Sequence, residues 1–390
     1  MKKTPSTEAR RIQAIQPFHV MALLARARQL EATGRDIVHM EIGEPDFPPP
    51  QPIVEAGLAA IRGGDVHYTP ATGLPVLREA IAGFYRQRYA VDIDPARVIV
   101  TPGASGALLL ALGVLMDRGE AVMMADPGYP CNRNFVTFLE GRSQSIPVGP
   151  EQAYQLSPDL VKAYWQSDTR AVMLASPSNP TGTLIPESDL QQIIDLAAER
   201  GGRVIVDEIY HGLVYGQTAQ TALALSDEVF VINSFSKYFG MTGWRLGWMV
   251  VPEGYIEAVD KLAQNLFLSA PTPSQHAALA AFTPQTLGIL EQRREEFQRR
   301  RDFLLPALRQ LGFRISVEPQ GAFYLYADCS AFTDDSYGFA LDLLENVGVA
   351  ITPGKDFGHN APERHVRFAY TTSLPRLEEG VLRLERYLQP

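Results

Sequence analysis

The chain is expected to fold as an α/β protein, with a large domain built on a mostly parallel sheet flanked by helices and a smaller α+β domain. Three observations predict this. Its 390 residues exceed what one hydrophobic core usually organises. Short, nearly all-apolar runs alternate with helical patterns, as strands covered on both faces do. From about Thr283 the pattern changes to a long charged helix followed by shorter strands and helices.

The first 45 or so residues contain no buried-type strand run, so they are expected to pack on the smaller domain. The proline-rich PDFPPPQP, Pro45 to Pro52, then marks a boundary. The runs RVIV (97–100), AVMM (121–124), AVMLA (171–175), RVIVD (203–207), VFVINS (229–234) and LGWMVV (246–251) read as parallel strands of the large domain. Between two of them, IPESDLQQIIDLAAERGG places Leu190, Ile193, Ile194 and Ala197 at i, i+3, i+4, i+7, with Pro186 near the start and Gly201 and Gly202 at the end. That is an amphipathic crossover helix. FRISV, FYLYA, VAIT and HVRFAY supply strands to the smaller domain, giving a large domain over 48–282 and a small one from 1–47 together with 283–390.

Composition excludes several classes. With 35 basic against 44 acidic residues the net charge is −9, and no Lys/Arg run suggests a nucleic-acid or lipid surface. The densest basic cluster, REEFQRRRDF, reads as a solvated helix face. The longest apolar run, ALLLALGVLM, is too short to span a bilayer, and the N-terminus lacks a signal-type apolar stretch. Cys131 and Cys329 match no metal or disulfide spacing, and the seven histidines show no metal motif, so no metal is expected and a reducing cytoplasm fits.

Functional residues of an open parallel sheet lie just after the carboxyl ends of its strands. There the chain places PGASG with Ala104 and Ser105, DPGYP with Tyr129, SPSNPTG with Asn179, VDEIY with Asp207 and Tyr210, and SFSKYFGMTGWRLGW with Ser234, Ser236, Lys237 and Arg245. Singly, each has a bland reading as a turn, a cap or a half-buried aromatic. Together they match what pyridoxal phosphate requires: a lysine for a Schiff base, a carboxylate for the pyridine nitrogen, and backbone N–H groups, hydroxyls and an arginine for the phosphate.

These motifs, with GEPDF near the N-terminus, resemble the fold-type I aminotransferases of classes I and II, the pyridoxal phosphate enzymes related to aspartate aminotransferase. The resemblance runs from about residue 12 to the C-terminus and implies a seven-stranded sheet. It implies that Lys237 carries the cofactor and then moves the substrate's α-proton, in a ping-pong transfer of an amino group to a 2-oxo acid. Asp207 would pair with the ring nitrogen, Tyr210 and Asn179 with its phenolic oxygen, and Tyr129 would stack on the ring. Ala104, Ser105, Ser234, Ser236 and Arg245 would hold the phosphate, and Tyr68 would reach the phosphate of a neighbouring subunit, implying a homodimer. Arg367 would grip the substrate carboxylate, and Gly43 would leave room for the substrate.

Two departures bear on the substrate. Relatives of aspartate specificity often carry a lysine where this chain has Ser105, and a small polar residue where it has Phe18. A distal carboxylate would then lack a counter-charge, so neutral aromatic or aliphatic donors are expected, with 2-oxoglutarate or pyruvate as acceptor. A C–S lyase or synthase on the same fold is the alternative, since the bond broken depends on alignment that motifs do not report.

Overall fold

The computed structural model describes residues 8–388. Among these residues twelve strands form three sheets. They are β1 (Val38–His39), β2 (Val98–Thr101), β3 (Ala121–Asp126), β4 (Arg142–Pro147), β5 (Thr169–Ala175), β6 (Arg203–Asp207), β7 (Phe230–Ser234), β8 (Gly247–Val250), β9 (Tyr324–Asp328), β10 (Val349–Ala350), β11 (Thr352–Pro353) and β12 (His365–Ala369). The large sheet has seven strands in the order β2-β8-β7-β6-β5-β3-β4.

Its strands alternate between two apolar layers, which is why they read as unbroken apolar runs. Val98, Val100, Val204, Val206 and Val231 face one layer, and Ile99, Ile205, Phe230, Ile232 and Met249 face the other. The expected crossover helix forms over Glu187–Glu199 and buries Leu190, Ile193, Ile194 and Ala197. Its apolar stripe is the one read from the spacing.

Two readings of this sheet are corrected. LGWMVV forms β8, but it runs antiparallel to both β2 and β7. An apolar run reports burial on two faces and carries no sign of direction. The edge strand β4 was not anticipated, because RSQSIP alternates exposed and buried positions and contains one strongly apolar residue, Ile146. The reversal of β8 places Arg245, just before its amino end, at the same sheet edge as Lys237, just beyond the carboxyl end of β7.

The remaining strands form an antiparallel sheet β11-β12-β9 and a parallel pair β1-β10. The N-terminal stretch therefore does contain a short strand, and it pairs with the C-terminal part of the chain through Val38↔Val349 and His39↔Ala350. FRISV does not become a strand; it contributes one bridge, Arg314↔Asp328. VAIT splits at Ile351 into β10 and the start of β11, which serve different sheets.

The basic cluster is also corrected. Along the helix Pro284–Leu311, Arg299 is exposed, but Arg300 and Arg301 are buried. Arg300 bonds Asp46 at 2.9 Å, Glu296 at 3.1 Å and the Thr371 carbonyl at 2.8 Å, and lies over the rings of Phe47 and Phe297. It joins the GEPDF segment to the C-terminal part of the chain. A charge is tolerated there because its Nε and Nη1 are hydrogen-bonded, two of the partners are carboxylates, and the guanidinium lies over two rings. No helix among the described residues is long and apolar enough to cross a membrane.

Candidate active site

The carboxyl edge of the large sheet opens into a cavity of about 220 Å³. Of the residues anticipated from sequence, Phe18, Gly43, Ala104, Ser105, Tyr129, Asn179, Asp207, Tyr210, Ser236, Lys237, Arg245 and Arg367 line it. Ser234 does not: it lies directly behind, fully buried, with its hydroxyl 2.8 Å from that of Ser236 and 3.1 Å from the Leu246 carbonyl. Its amide-side contact, from Ser236 N–H at 3.0 Å, makes it a support for Ser236. Tyr68 is 82% exposed and does not line the cavity of its own chain.

The floor is set by close approach of backbone to backbone. A Cβ on Gly247 would stand 2.7 Å from the Gly103 carbonyl carbon, 2.8 Å from the Ala104 nitrogen and 2.9 Å from the Asn233 oxygen. Only a glycine lets the helix Gly103–Leu115 begin directly against β8. That helix presents its free first-turn N–H groups to the cavity beside Ser105, Ser236 and Arg245, an arrangement suited to an anion.

Lys237 stands in the loop after β7, open only towards the cavity, and donates to the Gly43 carbonyl at 2.6 Å. Burial lowers its pKa to about 8, Arg367 and Arg245 add to that, and Glu44 and Asp207 oppose it. Opposite lies Asp207, at the end of β6, where burial raises the carboxyl to about 6 against the Ile209 amide and Lys237. The Ile209 N–H bond to Oδ1, 3.0 Å long, is the one hydrogen bond its carboxyl makes among the described residues.

On the far side, Arg367 on β12 gives Nη1 to Asn179 Oδ1 at 2.8 Å and Nη2 to the Glu41 carbonyl at 2.6 Å. Its Nε is buried without a partner, a donor left over on a side chain that lines the cavity. Because Asn179 spends its oxygen on Arg367, its amide N–H groups remain to donate. The Tyr210 hydroxyl is buried and its pKa is raised far above the usual value by burial, so it holds its proton as a donor. Phe18 meets Tyr129 edge to face with centroids 6.4 Å apart.

Sequence reasoning missed Tyr324, on β9. It touches Tyr210, Arg367 and the space beside Gly43, yet FYLYA signalled only a strand with aromatic residues. Val20, Ile42, Leu108 and Ile209 complete the apolar part of the wall. Among the described residues no group of three or more His, Cys, Asp or Glu side chains could hold a metal.

The profile of the family "Aminotransferase class I and II" matches residues 35–384. The chain is 39% identical to the valine–pyruvate aminotransferase of Mycobacterium tuberculosis over 376 residues, covering 96% of this chain and 97% of that one. It is 35% identical to the aspartate/prephenate aminotransferase of Thermus thermophilus, covering 97% and 98%. Among solved structures, an aminotransferase from Mycobacterium tuberculosis superposes with a TM-score of 0.95 at 39% identity, covering 98% of this chain and 99% of that one. The chain belongs to the aminotransferase class I and II family and is an aminotransferase of fold type I.

Proposed function

We propose that the cavity binds pyridoxal phosphate and moves the α-amino group of a neutral L-amino acid, aromatic or aliphatic, to a 2-oxo acid. One observation carries the reading: a depressed lysine, an under-bonded carboxylate, a tyrosine hydroxyl and an open helix N-terminus converge on one enclosed space, with an arginine donor left over. The donor set fits the cofactor. Bound there, it would supply an aldehyde for an amine and a ring that accepts the electrons of a bond broken at the substrate α-carbon.

The chain's own residues then have definite tasks. The first turn of Gly103–Leu115, with Ser105, Ser236 and Arg245, holds the phosphate, and Ser234 keeps Ser236 in place. Asp207, short of partners, is completed by a protonated ring nitrogen. Asn179 and Tyr210 donate to the phenolic oxygen, and Tyr129 covers the ring. Lys237, its pKa lowered to about 8 by burial so that a neutral amine is readily reached, takes the proton from the substrate α-carbon and later returns one. Arg367 offers its orphaned Nε side to the substrate carboxylate.

Substrate choice is read from charge. Lys237, Arg245 and Arg367 are the three cations lining the cavity, and each is engaged by one of these tasks. A distal carboxylate would meet Phe18, Val20, Ile42 and Leu108 instead, and its desolvation would go uncompensated. The relative from Mycobacterium tuberculosis is named for valine and pyruvate, which agrees with a neutral donor.

The enzyme is taken to be a cytoplasmic homodimer with a large domain over 48–282 and a small one from 1–47 and 283–390. Free Cys131 and Cys329 agree with a reducing compartment. The dimer would be completed by Tyr68, whose segment is held beside the exposed Leu268 turn by the Thr272 hydroxyl bond to the His67 carbonyl at 2.7 Å. The test is a single-turnover panel read by cofactor absorbance. Phenylalanine, leucine, valine or alanine should convert the bound cofactor faster than aspartate and yield the matching 2-oxo acid. Faster reaction with aspartate refutes the neutral-donor reading, and release of ammonia and pyruvate from cystathionine would make the enzyme a C–S lyase.

A further inference from the structure

Tyr324 meets three partners at once. Its hydroxyl lies 2.8 Å from that of Tyr210. Its ring lies under the Arg367 guanidinium, whose central carbon is 4.2 Å from the ring centroid. The same hydroxyl fills the space beside Gly43, where a Cβ would stand 2.0 Å from the oxygen. This hydroxyl therefore sits against the bare face of Gly43, which also lines the cavity.

A hydroxyl has one proton to give and two lone pairs. If Tyr210 gives its proton to the cofactor's phenolic oxygen, the 2.8 Å contact must be made by the Tyr324 proton. The cation lying on the Tyr324 ring withdraws charge from it and makes its hydroxyl the better donor of the two. Hydrogen bonds in such a chain polarise one another.

We propose that Tyr324 is a positioning residue that donates to Tyr210, and so strengthens the hydrogen bond Tyr210 gives to the phenolic oxygen of the cofactor. The chain Tyr324 to Tyr210 to phenolic oxygen runs beneath the same arginine that receives the substrate carboxylate. One side chain thus serves both ends of the site, its hydroxyl the cofactor and its ring Arg367. This rests on the reading of Tyr210 given above.

The groups facing this pair are Arg367 from β12, Tyr129, Asp207 from β6 and Lys237 after β7, with Glu44 and Arg245 beyond Lys237. All are unchanged in a Tyr324→Phe variant, so a spectral shift isolates the hydroxyl. The experiment is a pH titration of the visible absorbance of the holoenzyme without substrate. In Y324F the midpoint should rise by about half a unit to one unit, since a weakened donor stabilises the phenolic anion less. In Y210F it should rise at least as far, and the double variant should match Y210F.

Binding of 3-phenylpropanoate, followed by the same absorbance, supplies the second readout. Its affinity should stay within about twofold in Y324F and fall about three- to tenfold in Y324L, where the ring beneath Arg367 is gone. Should Y210F shift the midpoint while Y324F does not, the donor role of Tyr324 is refuted and the Tyr210 reading stands. If neither shifts, both fail. If Y324F weakens 3-phenylpropanoate as much as Y324L does, the role of the ring beneath Arg367 is refuted.

Discussion

Asp207 and Glu208 leave the end of β6 on opposite sides, and their surroundings differ as sharply as their positions are close. Asp207 lines the cavity and takes one amide bond. Glu208 is fully buried behind it, with Thr221 Oγ1 at 3.0 and 2.9 Å from its two oxygens and the Ala222 N–H at 2.8 Å from one. His211 Nδ1 stands 3.4 Å away. One carboxylate is left short of partners where chemistry is expected; its neighbour is fully bonded and anchors the turn that carries both Asp207 and Tyr210. The same side-chain type is thus a liability for stability in one place and a fastener in the other.

That contrast can be broken in three ways. The largest effect is expected from Asp207→Ala, which should lower kcat on the order of 10²- to 10³-fold, as loss of one preorganised charge partner does. It should leave the melting temperature of the cofactor-free protein unchanged or raised, because a carboxylate short of partners is removed. A fall in both activity and melting temperature would place Asp207 with Glu208 as a structural group. Conversely, Glu208→Ala should cost about 3 kcal/mol in denaturant unfolding, since the buried Thr221 hydroxyl and Ala222 amide lose their acceptor. Unfolding unchanged within error would show that the anchor is dispensable.

The smallest effect sharpens the comparison through pH. Burial raises the Glu208 carboxyl from 4.5 to about 8, so the folded chain keeps a proton that the unfolded chain releases. The stability this contributes is complete below about 4.5 and is lost as pH rises towards 8. His211, lowered by burial from 6.5 to about 3, acts in the opposite sense and only below 6.5. Above 6.5 Glu208 shares the falling slope with His39, whose pKa is raised to about 9 chiefly by its hydrogen bond to Glu41, so the Glu208 part is the difference from a variant that cannot titrate there. The melting temperature of the cofactor-free protein should fall from pH 6.5 to 8.5 and be flatter in Glu208→Gln, which keeps a carbonyl acceptor. Equal slopes would assign the pH dependence elsewhere.

Most of the large sheet was legible because burial on both faces writes itself as apolar runs, and the crossover helix because its stripe has the period of a helix. What the residues did not record was direction and partner. The turn between Ser234 and Gly247 looks the same whether β8 returns or crosses over, and an edge strand such as Arg142–Pro147 is polar on its outer side. Arg300 looked solvated because its partners, Asp46 and the Thr371 carbonyl, are 254 and 71 residues away. In the site, strand ends and loop chemistry pointed to Lys237 and Asp207, and the family resemblance pointed to Arg367. Tyr324 stayed hidden because an aromatic residue in a strand is ordinarily core, and only the folded chain shows a hydroxyl meeting another hydroxyl.

Gly247 has a consequence for how the protein comes apart. The missing carbon that lets the first turn of Gly103–Leu115 rest on β8 ties that turn to a strand bonded on both edges. Fraying of nearby segments would leave the turn in its seat. Losing the seat requires melting of the central sheet itself, so the shape of the cavity floor and the integrity of the whole fold rise and fall together.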